Sequence, residues 1–241
     1  MSSPTAFERA LEQLGAEVVA GTLPADATDT IEGFMARTGA SRSVVREVTR
    51  VLGGLGMLHA GRRVGLRIRP LAEWDLLDTR VIRWRLEGPE AARQLAELRS
   101  LRHAVEPAAA AAAARAVRED GAETTALDAA VGRMIAAADG PESGEFLAAD
   151  RDFHTAVLAL SGNAMLGRLR AVIEEGLRHR ALVERGEQMP DRHDLGLHRE
   201  VAAAILDGDE EQAAAHMREI IERATGEQPL PHLGISWAVR G

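Results

Sequence analysis

The chain has 241 residues and a formal net charge of −8 at pH 7, and 46% of its residues are hydrophobic while 27% are charged. This length and composition predict one large or two small domains with a real core. The absence of cysteine excludes disulfides and thiolate metal sites. No apolar run approaches the roughly 20 residues of a membrane span, and no secretory signal opens the sequence, so we expect a cytoplasmic protein that does not cross a membrane.

Charge is distributed unevenly along the chain. Residues 1–70 hold nine arginines and seven acidic residues, whereas residues 71–241 hold twenty and thirty. Between positions 37 and 69, eight arginines accompany a single acidic residue, Glu47. A cationic patch on an acidic body is typical of a DNA-binding module.

The first two elements are short helices. Apolar residues at helical spacing predict a helix over 6–20, and the Gly-Thr-Leu-Pro sequence at 21–24 ends it. Asp29 or Thr30 is placed to cap a second helix that continues through Phe34.

The segment 41–52 predicts a cationic amphipathic helix. At about 100° per residue, one arc is apolar and consists of Val44, Val45, Val48, Val51 and Leu52. The opposite arc is polar and consists of Arg42, Ser43, Arg46, Thr49 and Arg50. Ser41 stands where an N-cap is expected. A helix, a short Gly turn and a cationic helix indicate a helix-turn-helix whose second helix enters the major groove, with Arg42, Arg46 and Arg50 toward DNA.

A hairpin pattern follows the recognition helix. A basic Gly turn at 60–65 separates the segment 55–59 from an alternating strand at 66–69. Attached to a helix-turn-helix, this hairpin would be a wing. We expect its tip, Arg62 and Arg63, to contact phosphate or the minor groove; the alternative is a solvated loop tip.

Residues 39–47, Gly-Ala-Ser-Arg-Ser-Val-Val-Arg-Glu, resemble the G-V-S-R-T-x-V-R-E signature of GntR-family winged helix-turn-helix regulators. The resemblance continues through the wing to Trp-Asp-Leu-Leu-Asp at 74–78, which is similar to the W-N-L-L-D-P segment of the FadR subfamily that regulates sugar-acid catabolism. One position departs from the family, which often has an arginine in the helix that precedes the recognition helix. In this chain Glu32 lies in that helix and would repel phosphate. This departure predicts weaker operator affinity or a different pattern of DNA contacts. The resemblance implies DNA contacts by Ser41, Arg42, Ser43, Val44, Arg46, Arg62 and Arg63.

The remainder of the chain has only helical patterns. Residues 71–88 form an apolar linker segment with Trp74 and Trp84 that we expect to be helical and to join the two domains. From residue 89 helical segments are predicted near 90–118, 123–139, 142–161, 163–186, 191–207 and 209–226. This part resembles the FCD effector domain of the FadR subfamily. The predicted protein is therefore mainly α, with a winged helix-turn-helix domain of three helices and a β-hairpin at 1–70, a linker at 71–88, an all-α bundle for effector binding and dimerisation at 89–228, and a tail at 229–241.

Four ionisable residues fall on apolar helix faces of the predicted bundle. Asp150 and His154 are one turn apart on the face of Phe153 and Val157, His198 repeats this pattern, and Arg102 lies among leucines where it requires an anion, either Glu106 or a ligand carboxylate. Burial of these groups is costly unless they are paired, hydrogen-bonded or bound to a ligand. Each alone is typical of a satisfied core polar group, but four together predict an effector pocket formed by Arg102, Asp150, His154 and His198.

The resemblance to FCD domains implies a metal site in the same place. The sequence from Asp150 to His154 matches the D-x-x-F-H motif of metal-binding FCD domains, and His198 matches their second histidine. Ile220 stands where their third histidine is expected, and His216 one turn earlier could substitute. Two alternatives stay open: Asp150, His154 and His198 hold a divalent metal such as Zn, Ni or Mn, or they bind a sugar acid directly with Arg102 and no cofactor.

These patterns favour a DNA-binding transcriptional regulator with no catalytic residues. We expect a homodimeric repressor that binds a pseudo-palindromic operator and is released by a small carboxylate effector, a sugar acid or a hydroxy acid. One alternative is a metal-dependent small-molecule enzyme that uses Asp150, His154 and His198. The other is an architectural DNA binder that does not respond to an effector.

Overall fold

The computed structural model describes residues 3–61, 64–138, 143–183 and 192–223. The described part is mainly helical, as predicted from the sequence. Its helices are α1 (Ala6–Val19), α2 (Ile31–Thr38), α3 (Arg42–Gly54), α4 (Thr79–Glu87), α5 (Ala91–Asp120), α6 (Thr125–Ala138), α7 (Ser143–Leu160), α8 (Ala164–Arg168), α9 (Arg170–Val183), α10 (Arg192–Leu206) and α11 (Glu210–Arg223). Its strands are β1 (Thr28–Asp29), β2 (Leu58–Gly61) and β3 (Gly65–Ile68). The predicted tail at 229–241 lies outside the described residues.

The first three helices begin at hydrogen-bonding caps. Thr5 caps α1 in a capping box with Glu8, Thr30 caps α2, and Ser41 accepts a hydrogen bond from the backbone N–H of Val44 at the start of α3. The prediction that Ser41 caps the recognition helix is therefore confirmed.

The wing has one more strand than the sequence pattern predicts. β2 and β3 form the predicted antiparallel hairpin, and β1 adds to the free side of β3 to give the order β1-β3-β2. β1 is only two residues long, which is too short to show an alternating pattern. Gly65 has a φ of +76°, and a Cβ there would come within 2.6 Å of the carbonyl oxygen of Asp29, so glycine is required where β3 approaches β1.

The N-terminal core combines the apolar faces of α1, α2 and α3 with the wing and α4. Val45, Val48 and Leu52 of α3 are fully buried, as their arc predicts. The prediction that Thr49 faces solvent on the polar arc is wrong, because its side chain is buried and only 8% exposed. Its hydroxyl donates to the carbonyl oxygen of Arg46, which satisfies the polar group inside the helix.

The linker at 71–88 is not one continuous helix. A short 3-10 turn at Leu71–Glu73 is followed by extended backbone at Trp74, and α4 begins only after the capping residue Asp78. Pro70 precedes the 3-10 turn, and the side chain of Asp78 accepts a hydrogen bond from the N–H of Arg80.

Both tryptophans of the linker pack against the N-terminal elements. Trp74 Nε1 donates to the carbonyl oxygen of Arg69 over 2.8 Å, and Trp84 Nε1 donates to Glu12 Oε2 over 2.5 Å. A Cβ at Gly15 would lie 2.6 Å from the Trp84 ring, so the glycine in α1 makes room for the indole. The linker helix thus belongs to the same core as α1.

The chain divides into two compact units. The first consists of Met1–Leu98 with Arg168–Glu184, and the second of Arg99–Gly167 with Arg185–Gly241. In the first unit, α9 packs on α4; in the second, α6 packs on α7 and α10 packs on α11 and α6. Among the described residues, no helix has the length and apolarity needed to cross a membrane.

Candidate functional site

The predicted DNA-reading face of α3 is open to solvent. The side chains of Ser41, Arg42, Ser43, Arg46 and Arg50 are exposed, and Val44 is half-buried. This arrangement follows from the strong amphipathicity of α3, whose apolar arc is turned into the N-terminal core. Arg62 and Arg63 at the predicted wing tip lie outside the described residues.

Two of the three arginines on this face are paired with acidic residues. Arg42 Nη2 lies 2.6 Å from Glu32 Oε1 of α2, and Arg50 forms an ion pair with Glu47 one turn earlier. Arg46 lies between these two pairs in the sequence and forms no ion pair with any described residue. Its guanidinium can therefore bind an external anion without first breaking an ion pair. The sequence pattern predicted the polar face of α3 but not these two ion pairs.

The second unit brings the four predicted pocket residues together in its interior. Arg102 lies on α5, Asp150 and His154 on α7, and His198 on α10. His198 and His154 are 0% and 2% exposed, and Arg102 and Asp150 are each 8% exposed. The burial predicted for these four residues from helical spacing is therefore confirmed.

Glu106 is the fifth member of the cluster and links two of the others. Arg102 Nε donates to Glu106 Oε1 over 2.5 Å, and Nη2 reaches Oε2 at 3.4 Å. Glu106 Oε2 also lies 2.5 Å from His154 Nδ1, but the approach lacks the direction of a hydrogen bond. The sequence indicated Glu106 as a partner of Arg102 one turn away, but nothing in it indicated the contact with His154.

Both histidines present Nε2 toward the same carboxylate. Asp150 Oδ1 lies 3.0 Å from His198 Nε2 and 3.6 Å from His154 Nε2. His198 Nδ1 is 2.7 Å from the carbonyl oxygen of Asp194, which fixes the Nδ1–H tautomer and leaves Nε2 free to act as a ligand. His198 Nε2 is buried and has no hydrogen-bond partner.

This arrangement fits a divalent metal. One ligand atom from each of Asp150, His154 and His198 lies within 4.8 Å of the others. Two imidazoles and a carboxylate form a donor set that suits Zn, Ni or Mn, and oxygen acceptors behind ligating histidines are typical of metal sites. The ring of Phe153 packs in a T-shaped arrangement against both histidine rings, with centroid distances of 5.5 Å to His154 and 4.8 Å to His198.

The proposed substitute for the missing third histidine lies elsewhere. His216 Nδ1 is 3.3 Å from Glu200 Oε2 and its side chain is 27% exposed, so it is not part of the buried cluster. Ile220 occupies the expected position as a buried core residue of α11. Within the described residues, the cluster therefore offers three candidate metal ligands, Asp150, His154 and His198.

The charges of the cluster depend on one another. Burial raises the pKa of Glu106, but the charges of Arg102 and His154 outweigh it and lower that pKa to about 2. Burial lowers the pKa of His154, but the carboxylates of Glu106 and Asp150 together outweigh it and raise that pKa to about 9. Burial likewise raises the pKa of Asp150, and attraction to His154 and His198 brings it well below its usual range.

His154 is thus charged at neutral pH when no metal is bound. Arg102 Nη2 lies 3.2 Å from His154 Nε2 and can donate to it only when the ring is neutral. In the protonated ring Nε2 carries a hydrogen and is attracted to Asp150 instead. A metal on Nε2 would replace that proton, so metal binding and protonation compete at this atom.

Stability of the chelator-treated protein should fall as pH rises through the alkaline range. The raised pKa of His154 stabilises the fold fully below its ordinary value of 6.5, and this contribution is lost as pH approaches about 9. The expected loss of unfolding free energy is on the order of 2–3 kcal/mol. Urea denaturation at pH 6.5 and 9 measures it.

The control for this pH dependence is a pair of variants. His154→Asn should remove the alkaline loss, whereas His216→Asn, which changes a partly exposed histidine, should retain it. An equal loss in both variants would show that His154 is not the titrating group.

The chain is similar to known transcriptional repressors. The FCD domain family matches residues 97–223. The galactonate operon transcriptional repressor of Escherichia coli (strain K12) is 33% identical over 220 residues, which cover 86% of this chain and 91% of that protein. The probable D-xylose utilization operon transcriptional repressor of Paenarthrobacter nicotinovorans is 33% identical over 152 residues, which cover 63% of this chain and 58% of that protein. The solved structure of Lar, which controls the expression of the Listeria monocytogenes agr system, has the same fold with a TM-score of 0.60 at 16% identity, over 93% of this chain and 96% of that chain.

Proposed function

Because the chain belongs to the GntR family of transcriptional repressors and carries an FCD domain, we propose that a divalent metal and a small carboxylate effector bind in its buried cluster and release it from its operator. The relatives regulate transcription, so the alternative of a metal-dependent enzyme is wrong. The observation that carries the proposal is the buried Nε2 of His198, which has no hydrogen-bond partner and faces Asp150.

The charge of the cluster supports a metal together with a carboxylate. When both histidines are neutral, as metal ligation requires, the carboxylates of Glu106 and Asp150 outnumber the guanidinium of Arg102. In the metal-free protein, the protonated ring of His154 balances this excess, so the cluster has no net charge and does not attract a carboxylate effector. A divalent cation reverses the sign of the cluster and makes it attractive to an anion. Direct binding of a sugar acid without metal is therefore the less favourable alternative.

The relative and the chemistry of the cluster support a sugar acid as the effector class. The Escherichia coli relative represses a galactonate operon, and galactonate combines a carboxylate with hydroxyl groups. The carboxylate would approach the metal held by Asp150, His154 and His198, while Arg102 is positioned nearby to donate hydrogen bonds. Sugar acids, beginning with galactonate, are the first compounds to test.

We expect the repressor to act as a homodimer on a pseudo-palindromic operator. One recognition helix can read one half-site, and two half-sites about one helical turn apart supply adequate specificity. The effector releases DNA only if it binds more tightly to the state that fits the operator poorly. Footprinting that protects a single half-site, with a monomeric mass in solution, would contradict the dimer.

Thermal unfolding of the chelator-treated protein tests the metal and the effector. We expect Zn, Ni or Mn to raise the Tm, and galactonate or gluconate to raise it further only when the metal is present. A ligand at about 100 times its Kd adds roughly 2.7 kcal/mol, which corresponds to a shift of several degrees. Neutral D-xylose serves as the uncharged comparison. DNA binding followed by fluorescence anisotropy should weaken with the same combination of metal and sugar acid.

Matched histidine variants identify the site. His198→Gln should abolish the metal-dependent shift, whereas His216→Gln should keep it, because His216 contacts Glu200 outside the cluster. If a sugar acid still raises the Tm after chelation, the effector binds directly to the protein and the proposed metal is not needed. No shift with any of these compounds would favour the effector-independent architectural DNA binder.

A further inference from the structure

We propose that Glu32 competes with DNA phosphate for Arg42, and that this internal competition sets the affinity of the repressor for DNA and its dependence on salt. The inference rests on the proposed role of Arg42 as a DNA contact. It concerns a residue of α2 that lies outside the recognition helix.

The geometry joins the beginnings of two helices. Glu32 lies in the first turn of α2, and Arg42 is the first residue of α3. Arg42 Nη2 donates to Glu32 Oε1 over 2.6 Å, although ten positions separate the two residues. Their side chains are 62% and 53% exposed, so the pair lies at the surface where α3 would approach a duplex.

Glu32 carries its charge at neutral pH. Its pKa is lowered first by a hydrogen bond from its own backbone N–H and then by Arg42, with a weaker contribution from Arg46. The carboxylate thus occupies the position that a phosphate oxygen would take on Arg42. Charge-assisted bonds of arginine to carboxylate and to phosphate use the same planar donors, so Arg42 cannot serve both fully.

Contact with phosphate therefore requires the protein to break an ion pair and to bring an acid toward the polyanion. An exposed pair of this kind is weak enough to be broken, so Arg42 remains usable by DNA. The remaining carboxylate of Glu32 then repels the neighbouring phosphates, and the gain from Arg42 is partly cancelled. Removing the charge of Glu32 should remove both effects.

The test measures binding to a 30-base-pair duplex of random sequence, because phosphate contacts do not depend on base sequence. Glu32→Gln keeps the size of the side chain and removes its charge. We expect it to bind about 3- to 10-fold more tightly at low salt than the unchanged protein. The plot of log K against log salt should become steeper by up to about 0.9, because the charge of Arg42 is then no longer offset by Glu32 at the phosphates.

A matched control accounts for the change in net charge. Glu211 is also an exposed glutamate in the first turn of a helix, but it lies on α11 in the second unit. Glu211→Gln should leave the affinity and the slope unchanged. An equal tightening in Glu211→Gln would overturn the inference, because net charge alone would then account for the effect.

Arg42 variants separate this inference from the proposed DNA contacts. If Glu32 acts mainly through Arg42, Glu32→Gln should tighten binding much less in the Arg42→Ala background, where only the direct repulsion of phosphate is left to remove. Weaker binding by Arg42→Ala together with an unchanged Glu32→Gln would overturn the competition but keep Arg42 as a DNA contact. Unchanged binding by Arg42→Ala would instead remove Arg42 from the DNA interface. Weaker binding by Glu32→Gln would show that Glu32 supports DNA binding and would also overturn the proposal.

Discussion

Replacement of Glu106 by methionine is expected to lower the free energy of unfolding by about 3–5 kcal/mol. The substitution removes the carboxylate that pairs with the guanidinium of Arg102, which is 8% exposed. A histidine or carboxylate can respond to such a loss by changing its protonation, but arginine keeps its charge in proteins. The buried charge is therefore left without its nearest partner. Urea denaturation of the chelator-treated protein measures the change.

The double variant distinguishes a charge effect from a packing effect. Arg102→Met together with Glu106→Met replaces the buried pair with apolar side chains of similar length, and we expect it to recover most of the lost stability. A double variant that is less stable than Glu106→Met alone would contradict this account. In that case the stems of the two side chains, rather than their charges, would hold α5 in place.

The same ion pair affects the choice of variant for testing effector binding. Arg102→Ala would leave the buried carboxylate of Glu106 with only His154 as a charged partner, so a loss of induction could reflect a loss of folding. Arg102→Lys keeps the positive charge but loses the planar pair of donors that suits a carboxylate. It therefore tests recognition of the effector with less disturbance of the fold.

Local sequence patterns were sufficient for the recognition helix and for the burial of the cluster. The cap at Ser41 and the apolar arc of α3 depend on residues within two turns of one another, so periodicity alone describes them. The same is true of Asp150 and His154, which share an apolar face because they are four residues apart. Helical spacing determined which face each side chain takes.

Contacts between elements could not be predicted in the same way. The pairing of Glu32 with Arg42 depends on the turn between α2 and α3, and the contact of Glu106 with His154 depends on how α5 meets α7. Strand β1 is too short to have a pattern and forms only because β3 offers a free edge. The burial of Thr49 was missed because its hydroxyl is satisfied within its own helix. The two side-chain contacts and β1 arise from packing between elements, whereas Thr49 depends on a local hydrogen bond that the hydrophobic pattern does not show.

Replacement of Arg46 by alanine is expected to weaken binding to the operator by about 1–3 kcal/mol, which corresponds to roughly 5- to 150-fold. Arg46 is exposed on the polar face of α3 and forms no ion pair with any described residue. Its donors are thus free before binding, and no internal contact has to be broken when they meet a base or a phosphate. Fluorescence anisotropy with an operator selected from random duplexes measures the loss.

Two further arginine variants serve as comparisons for the effect of Arg46→Ala on operator binding. Arg50→Ala should weaken operator binding less than Arg46→Ala does. Arg50 already pairs with Glu47, and breaking that ion pair offsets part of the free energy gained from a DNA contact. Arg218→Ala removes an exposed arginine of α11 and should leave DNA binding unchanged. If Arg46 reads a base, its loss should relax the sequence preference at one position; if it contacts phosphate, all duplexes should weaken alike and the salt slope should fall by about one. Unchanged binding by Arg46→Ala would show that α3 presents a different part of its polar face to the major groove.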